Sequence, residues 1–270
     1  MTTFPRDGAR PGDVRPDDDP HDGWFPESVA ATYDEGGPSN DPREIARTVD
    51  VLADLAADGP ALELAVGTGR IAAPLAARGV PVHGIELSRA MAARVASKPG
   101  GDAVRVTVGD MTTTRVPGEF ALAYLVFNTI NNLTSQDAQV ECFVNAAAHL
   151  RPGGRFVVEV GVPALRRLPP GQDTVPFGIE TTDDGGQAGG YVGFDRYDTV
   201  TQRFTSNHVT VAGGAGRFRS IPFRYVWPAE LDLMARLAGM RPEHRWAGWD
   251  RSPFTAESTS HVSVWVKPER

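Results

Sequence analysis

The chain has 270 residues, 41% hydrophobic and 23% charged, with a formal net charge of -7; this suits one large α/β domain with an insertion, or two small domains. The acidic balance argues against a nucleic-acid partner, and no basic run or basic amphipathic helix points to a membrane surface. No charged-then-apolar leader and no apolar run of transmembrane length stand in the sequence, so a soluble cytoplasmic protein is expected.

Residues 1–22 place Pro5, Pro11, Pro16 and Pro20 among glycines and charges, with Asp17, Asp18 and Asp19 in a row. Such a stretch cannot build a core and reads as a mobile arm with a solvated acidic run. From Trp24 the texture changes. Residues 26–33 can form a short helix with Pro26 in its first turn, and Tyr33-Asp34 precedes the break Gly36-Gly37-Pro38. Asp41 then caps a helix with Pro42 at its first position, its apolar face made by Ile45, Val49, Leu52 and Leu55.

The next stretch, Ala61 to Ala72, reads as a buried strand, a glycine turn and the first turn of a helix over 70–77. Gly67 and Gly69 let the backbone turn sharply and approach a ligand, and the helix start offers free N–H groups. Gly67-Thr68-Gly69-Arg70-Ile71-Ala72 satisfies G-x-G-x-x-G/A, which suits a dinucleotide. Glu63 favours a different ligand. A carboxylate at the end of that strand repels a diphosphate but suits a group carrying an ammonium and a sulfonium.

A second strand over 79–86 ends in Glu86, 17 residues beyond Gly69, where such folds place a ribose-binding carboxylate. Ser88 can cap a helix over 89–97. A third strand over 104–108 leads into Gly109-Asp110-Met111. The nearly continuous apolar run 120–127 is the expected central strand, with Asn128, Asn131 and Asn132 at its carboxyl lip, where open α/β sheets bind ligands. Ser135 caps a helix over 136–150. The sole cysteine, Cys142, lies in that helix as inert core; it excludes an intramolecular disulfide, and no metal is expected. A fifth strand spans 156–160. From 163 to 226 helical periodicity is absent. Strands over 178–182, 191–197, 204–211 and 217–227 are separated by turns at Gly185-Gly186, Gly189-Gly190 and Gly213-Gly214, an inserted antiparallel sheet. A helix over 228–238 ends at Gly239, and strands over 244–249 and 261–267 close the chain as a hairpin.

Glu63-x-Ala65-x-Gly67-x-Gly69, the Gly109-Asp110-Met111 turn, and His149-Leu150-Arg151-Pro152-Gly153-Gly154 before a strand resemble the motifs of class I methyltransferases, which use S-adenosylmethionine (SAM). Ala65 stands where that family more often has glycine. Tyr33-Asp34 resembles a segment of antibiotic-tailoring members, and most of 24–270 is similar to amino-sugar, glycopeptide and lincosamide N-methyltransferases. The resemblance implies a Rossmann-like sheet with a C-terminal antiparallel hairpin and an inserted β-sheet lid. Its divisions are an arm (1–22), a SAM-binding core (23–162), a lid and dimerisation region (163–226) and the rest of the core (227–270).

The same resemblance implies S-adenosyl-L-methionine as cofactor, a small-molecule acceptor and a homodimer. It places Tyr33, Glu63, Ala65, Gly67, Thr68 and Gly69 around the methionine end. Glu86 and Leu87 fall at the ribose, Asp110 and Met111 at the adenine, and Phe127 beside the cofactor. Tyr33, Asn128 and Asn132 lie near the transfer channel, Asn132 standing where the sugar enzymes carry a histidine. With no titratable group at that lip, an amine acceptor that needs no enzyme base is expected, and His208, His244 and His261 read as structural, although His208 on the insertion could reach the site. O-methylation, an NAD-dependent oxidoreductase and a SAM-binding protein without transferase activity are the alternatives.

Overall fold

The computed structural model describes residues 23–35, 40–184 and 187–269. The expected arm over 1–22, the Gly36-Gly37-Pro38 break and the Gly185-Gly186 turn lie outside the described residues. Strand β1 (Ala61–Leu64) is buried at every position because it has parallel partners on both sides. These are β2 (Val82–Glu86) and β4 (Phe120–Leu125), with β3 (Arg105–Val108) beyond β2. β5 (Leu150–Gly161) continues the parallel set beside β4. β11 (Ser260–Val266) then runs antiparallel to β5, and β10 (Arg241–Trp246) antiparallel to β11. The spatial order is β10-β11-β5-β4-β1-β2-β3. The order of connection reverses between β1 and β4, and open sheets of this kind bind ligands at that crevice.

Period-two alternation divides the core between the two faces of this sheet. Leu62, Leu64, Ala123, Leu125, Phe156 and Val158 pack on one side with α5 (Gln136–His149) and α6 (Pro228–Leu237). Ala61, Leu122, Tyr124, Val157 and Val262 pack on the other with α2 (Pro42–Ala56) and α3 (Ala72–Ala77). The expected caps are in place: Asp41 Oδ1 accepts from Arg43 N–H at 2.9 Å, Ser88 Oγ from Met91 N–H at 3.0 Å and Ser135 Oγ from Ala138 N–H at 3.1 Å. The helix expected over 89–97 is shorter. α4 (Arg89–Ala92) gives way to a 3-10 turn at Val95–Ser97, since Gly101 packs against the Val95 carbonyl so closely that a Cβ there would lie 1.8 Å from its oxygen.

The inserted segment forms its own antiparallel sheet of β6 (Thr174–Asp184), β7 (Gln187–Asp198), β8 (Arg203–Ala212) and β9 (Ala215–Arg224). Gly213 and Gly214 both have positive φ, 58° and 77°, and form the two-residue hairpin turn expected there. Gly189-Gly190 is not a turn but part of β7, opposite Thr182 and Thr181. Glycine stands at 190 because a Cβ would come within 2.7 Å of the Glu180 carbonyl oxygen on β6. The strand expected to reach residue 227 ends at Arg224, and Trp227 instead precedes α6.

The base of this sheet is fastened to the core by Arg224. Its buried guanidinium donates to Gln139 Oε1, to Gln202 Oε1 at 3.2 Å and to Glu230 Oε1 at 2.6 Å. Gln139 Nε2 returns a bond to the Arg224 carbonyl at 3.3 Å and one to the Ile130 carbonyl at 3.1 Å. The Arg224 and Glu230 side chains are 5% and 14% exposed, so removing one partner strands the other charge away from water. Arg224→Ala should cost about 3 kcal/mol in urea denaturation, while Glu243→Ala, which breaks the more exposed Arg155–Glu243 pair, should cost about 1 kcal/mol or less.

Candidate functional site

The turn after β1 is held in an unusual backbone conformation. Ala65, Gly67 and Gly69 have φ of 56°, 57° and 81°, and Ala65 takes this left-handed geometry with a side chain, where glycine would be unstrained. A Cβ on Gly67 would meet only Met91 Cε at 3.9 Å, so the space above the turn is open. A Cβ on Gly69 would lie 2.9 Å from Val95, so this glycine also lets the turn close onto its neighbour. Glu86, at the end of β2, latches the loop: Oε2 accepts from Gly67 N–H at 2.8 Å and Oε1 from Ser88 N–H at 2.9 Å. The helix expected from residue 70 begins at Ala72, which leaves Arg70 in the turn.

A small cleft opens over this turn, lined by Tyr33, Glu63, Ala65, Gly67, Thr68, Arg70, Phe127 and Thr129 among others. Glu63 forms its floor. It stands opposite Tyr124 in the β1–β4 register, and the Tyr124 hydroxyl donates to Glu63 Oε2 at 2.9 Å. Burial pushes the Glu63 carboxyl up to about 8, although the Tyr124 hydroxyl, the Arg70 charge and the Ala72 N–H act the other way. The acid is therefore largely neutral at pH 7 in this state. Arg70 lies 4.0 Å over the Phe127 ring and 5.6 Å from the Tyr33 ring centroid, and it donates to Asn40 Oδ1 at 2.9 Å. Its Nε is buried with no hydrogen-bond partner. The cleft thus presents a carboxyl group and a guanidinium, complementary to the two ends of an amino-acid moiety.

Arg70 is the site residue that sequence reasoning missed. Its signal was a cation directly after the glycine turn, with an acid on the preceding strand.

Residues 23–35 close one side of the cleft. The Asp34 carboxylate accepts from Thr68 Oγ1 at 2.9 Å and from Lys98 Nζ at 2.7 Å. Ser88 Oγ donates to the Phe25 carbonyl at 2.7 Å, and Arg94 makes a two-pronged pair with Glu27 at 2.7 and 3.0 Å. These bonds hold Tyr33 at the cleft with Phe25 against its ring edge.

The remaining expected residues fall in two other places. Leu87, Asp110 and Met111 sit beyond the ends of β2 and β3, outside the cleft lining. Leu87 is half-exposed; Asp110 Oδ1 accepts from the Thr112 N–H and hydroxyl, each at 2.7 Å; Met111 is buried, its carbonyl accepting from Asn145 Nδ2 at 2.7 Å. Asn128 and Asn132 do not line the cleft either. Phe127 and Asn128 have φ of 56° and 62°, and Asn128 Oδ1 accepts from Gly161 N–H at 2.6 Å. This carboxamide oxygen clamps the ends of β4 and β5 together. Asn132 ends the 3-10 turn Thr129–Asn132. Cys142 is buried, and burial pushes its thiol well up, in keeping with inert core. Among the described residues no helix is long and apolar enough to cross a membrane.

Residues 61–154 match the family model described as a methyltransferase domain. The CcbJ methyltransferase of Streptomyces caelestis is 34% identical, with 89% of this chain and 96% of that chain covered and a TM-score of 0.77. Two further structures share the fold. The SAM-bound amino pentose methyltransferase CalS10 of Micromonospora echinaspora, involved in calicheamicin biosynthesis, is 22% identical over 89% of this chain and 96% of its own, TM-score 0.64. The sugar N-methyltransferase KedS8 of a Streptoalloteichus species is 20% identical over 100% and 98%, TM-score 0.63. Comparison with curated proteins finds no match.

The neutral Glu63 has a measurable consequence. Below about pH 4.5 the carboxyl holds its proton whether the chain is folded or not; between 4.5 and about 8 only the folded chain keeps it. The Glu63 contribution to stability is therefore complete below pH 4.5 and is lost as pH rises through 8. Glu63→Gln should gain stability relative to the parent between pH 5 and 9 by a few kcal/mol, read as the difference in urea midpoints across that range.

Proposed function

This chain belongs to the SAM-dependent methyltransferases, and we propose that its acceptor is an amine on a small natural product of the kind made in antibiotic pathways. The observation that carries the donor side is the buried Glu63 facing the Arg70 guanidinium across the cleft. Bound SAM supplies a methyl group already activated on a sulfonium. Glu63 would hold the ammonium of the methionine end, and Arg70, whose Nε–H is buried without a partner, its carboxylate. Glu86, which keeps the loop closed, and Leu87 would hold the ribose. Asp110 and Met111 would hold the adenine. Tyr33, at the cleft, would wall the transfer channel, and Asn128 and Asn132 would border the acceptor.

The chain's remaining task is to exclude water and align the acceptor, which accounts for much of the acceleration in reactions of this kind. The inserted sheet supports a roof for that side. Arg219 on β9 donates to the Trp24 carbonyl at 2.9 Å, and β9 packs on the Thr129–Asn132 turn. The amides of that lip can hold an amine acceptor by hydrogen bonds. KedS8, a sugar N-methyltransferase, and CalS10, an amino pentose methyltransferase, point the same way.

The outer face of the inserted sheet supports a homodimer. Ile179, Val192, Val209 and Phe218 lie opposite one another across all four strands, and Ile179, Val192 and Phe218 are exposed. Light scattering of the parent and of Ile179→Lys should show a dimer and a monomer.

SAM binding should draw the proton off Glu63, because an ammonium beside the carboxyl restores its charged form. Calorimetry at pH 7 in buffers of different ionisation enthalpy should show release of roughly one proton per SAM, absent in Glu63→Gln, with affinity about tenfold to a hundredfold weaker in that variant. Mass spectrometry of products from amines offered beside their hydroxyl counterparts should show N-methylation; O-methylation alone would refute the amine reading.

A further inference from the structure

The inner face of the inserted sheet holds a built polar chain that the donor site does not use. His208 on β8 stands opposite Gly193 on β7 and Arg219 on β9. The Tyr191 hydroxyl lies 2.7 Å from His208 Nδ1, and Ser206 Oγ lies 3.3 Å from Nε2. Asp195 faces Ser206 directly across β7 and β8, and its Oδ1 is buried without a partner. With Tyr191 donating to Nδ1, the imidazole carries its proton on Nε2 toward Ser206, whose own hydroxyl can turn to Asp195. The order is then hydroxyl, imidazole, hydroxyl, carboxylate.

Glycines make this arrangement possible. Tyr191 crosses the sheet diagonally to reach His208. A Cβ at Gly178 would lie 3.0 Å from its ring, and one at Gly193 would lie 2.6 Å from its hydroxyl and 2.2 Å from Phe177. Any larger residue at 193 would separate Tyr191 from His208. Phe177 presents its ring against His208 at 5.5 Å. The result is a half-buried trough with an aromatic wall and one hydroxyl tip.

The trough lies on the face of the sheet that carries Arg219. Arg219, the neighbour of His208 on that face, reaches the Trp24 carbonyl in the segment that holds Tyr33. β9 continues from there to the Thr129–Asn132 turn, and Tyr33 and Thr129 both line the donor cleft.

We propose that Tyr191 and His208, backed by Ser206 and Asp195, form the acceptor-side site, which binds a protonated amine and removes its proton before methyl transfer. This rests on the amine reading above. A substrate ammonium gives its proton to the Tyr191 oxygen as the tyrosine proton passes to His208 Nδ1, leaving a neutral amine and an imidazolium. The nitrogen lone pair then forms the N–CH₃ bond as the S–CH₃ bond breaks, its electron pair staying on sulfur. The imidazolium returns its proton to solvent when the product leaves.

The charged and titratable groups around His208 set its protonation state. Burial and the neighbouring Arg219 lower its pKa, so the imidazole is neutral near pH 7 and a nitrogen lone pair is open to a proton. Burial raises Tyr191, assisted by Glu180 on β6 and by Asp195, so it stays a hydroxyl. Burial also raises Asp195, against the Ser206 and Tyr197 hydroxyls and Arg167. Arg219 in turn is lowered by burial and opposed by Tyr33. A positive charge arriving on His208 is met by Asp195 at the far end of the chain.

The test compares the parent with Tyr191→Phe and His208→Gln, using SAM and a panel of amino sugars, amino-acid amides and cyclic secondary amines. Tyr191→Phe keeps the ring that fills the trough and guards against a folding failure in the histidine variant. The expected result is SAM affinity within about twofold of the parent by calorimetry, with kcat/KM for N-methylation down roughly a hundredfold at pH 7 and recovering toward pH 10, where the amine is already neutral. If both variants keep the parent's rate and pH profile, the relay is refuted while the amine reading stands. If the parent yields no N-methylated product with any amine in the panel, both are refuted.

Discussion

Glu63 is a carboxyl group that the fold has removed from water without supplying a full counter-charge, and the donor side of the site follows from that. It sits on β1 with strands on both sides and the Tyr124 ring opposite, so its ionised form has little solvation. Tyr124 and the Ala72 N–H supply hydrogen bonds, and Arg70 supplies potential, yet burial outweighs them. A ligand that brings its own cation to this floor completes what the protein leaves open.

Holding that floor in place requires the loop above it to be rigid. Glu86 ties the Gly67 N–H to β2, and Ser88 uses the other oxygen while its own hydroxyl receives Met91 and gives to Phe25. One carboxylate and one serine thereby connect the glycine turn, the start of α4 and the N-terminal segment. Gly84 belongs to the same arrangement: a Cβ there would lie 2.7 Å from the Val66 side chain, so only glycine lets Val66 fold down onto β2. The loop is set by contacts on both sides and by strain at Ala65, the kind of local cost that is found at binding sites.

Much of the fold was legible because it is written in local signals. Buried strands read as apolar runs, the helix starts at Asp41, Ser88 and Ser135 read as caps, and the switch from helical to alternating texture after residue 163 marked the insertion. Glu63 and the glycine turn were legible for the same reason. What stayed hidden depends on contacts far apart in sequence. Tyr124 meets Glu63 across 61 residues, and Asp34 meets Thr68 across 34. Asn128 looked like a group aimed at a substrate because it ends the central strand. Its oxygen also takes the Gly161 N–H, 33 residues away, where the backbone is turned left-handed at two consecutive residues. Gly189-Gly190 imitated a turn because a glycine demanded by a close strand neighbour looks the same in sequence as one demanded by positive φ.

The two halves of the site differ in how they are built, and that difference bears on how such a chain can vary. The donor half rests on the parallel sheet, where a one-residue shift of β1 would turn Glu63 to the opposite face, away from Tyr124. It has little freedom. The inserted sheet leaves the core after β5 and returns at α6, and β11 pairs with β5 along seven consecutive residues from Ser260 to Val266. The main sheet closes without it. Its firm attachment is at one end, through Arg224, Gln139 and Glu230, with Arg219 as a lighter contact near Trp24. Side chains on its inner face, among them Phe177, Tyr191, Ser206 and His208, can therefore change without disturbing either the Glu86 latch or the Glu63 floor. A scaffold divided in this way keeps one methyl-donor site while the side chains of the inserted sheet are free to diversify.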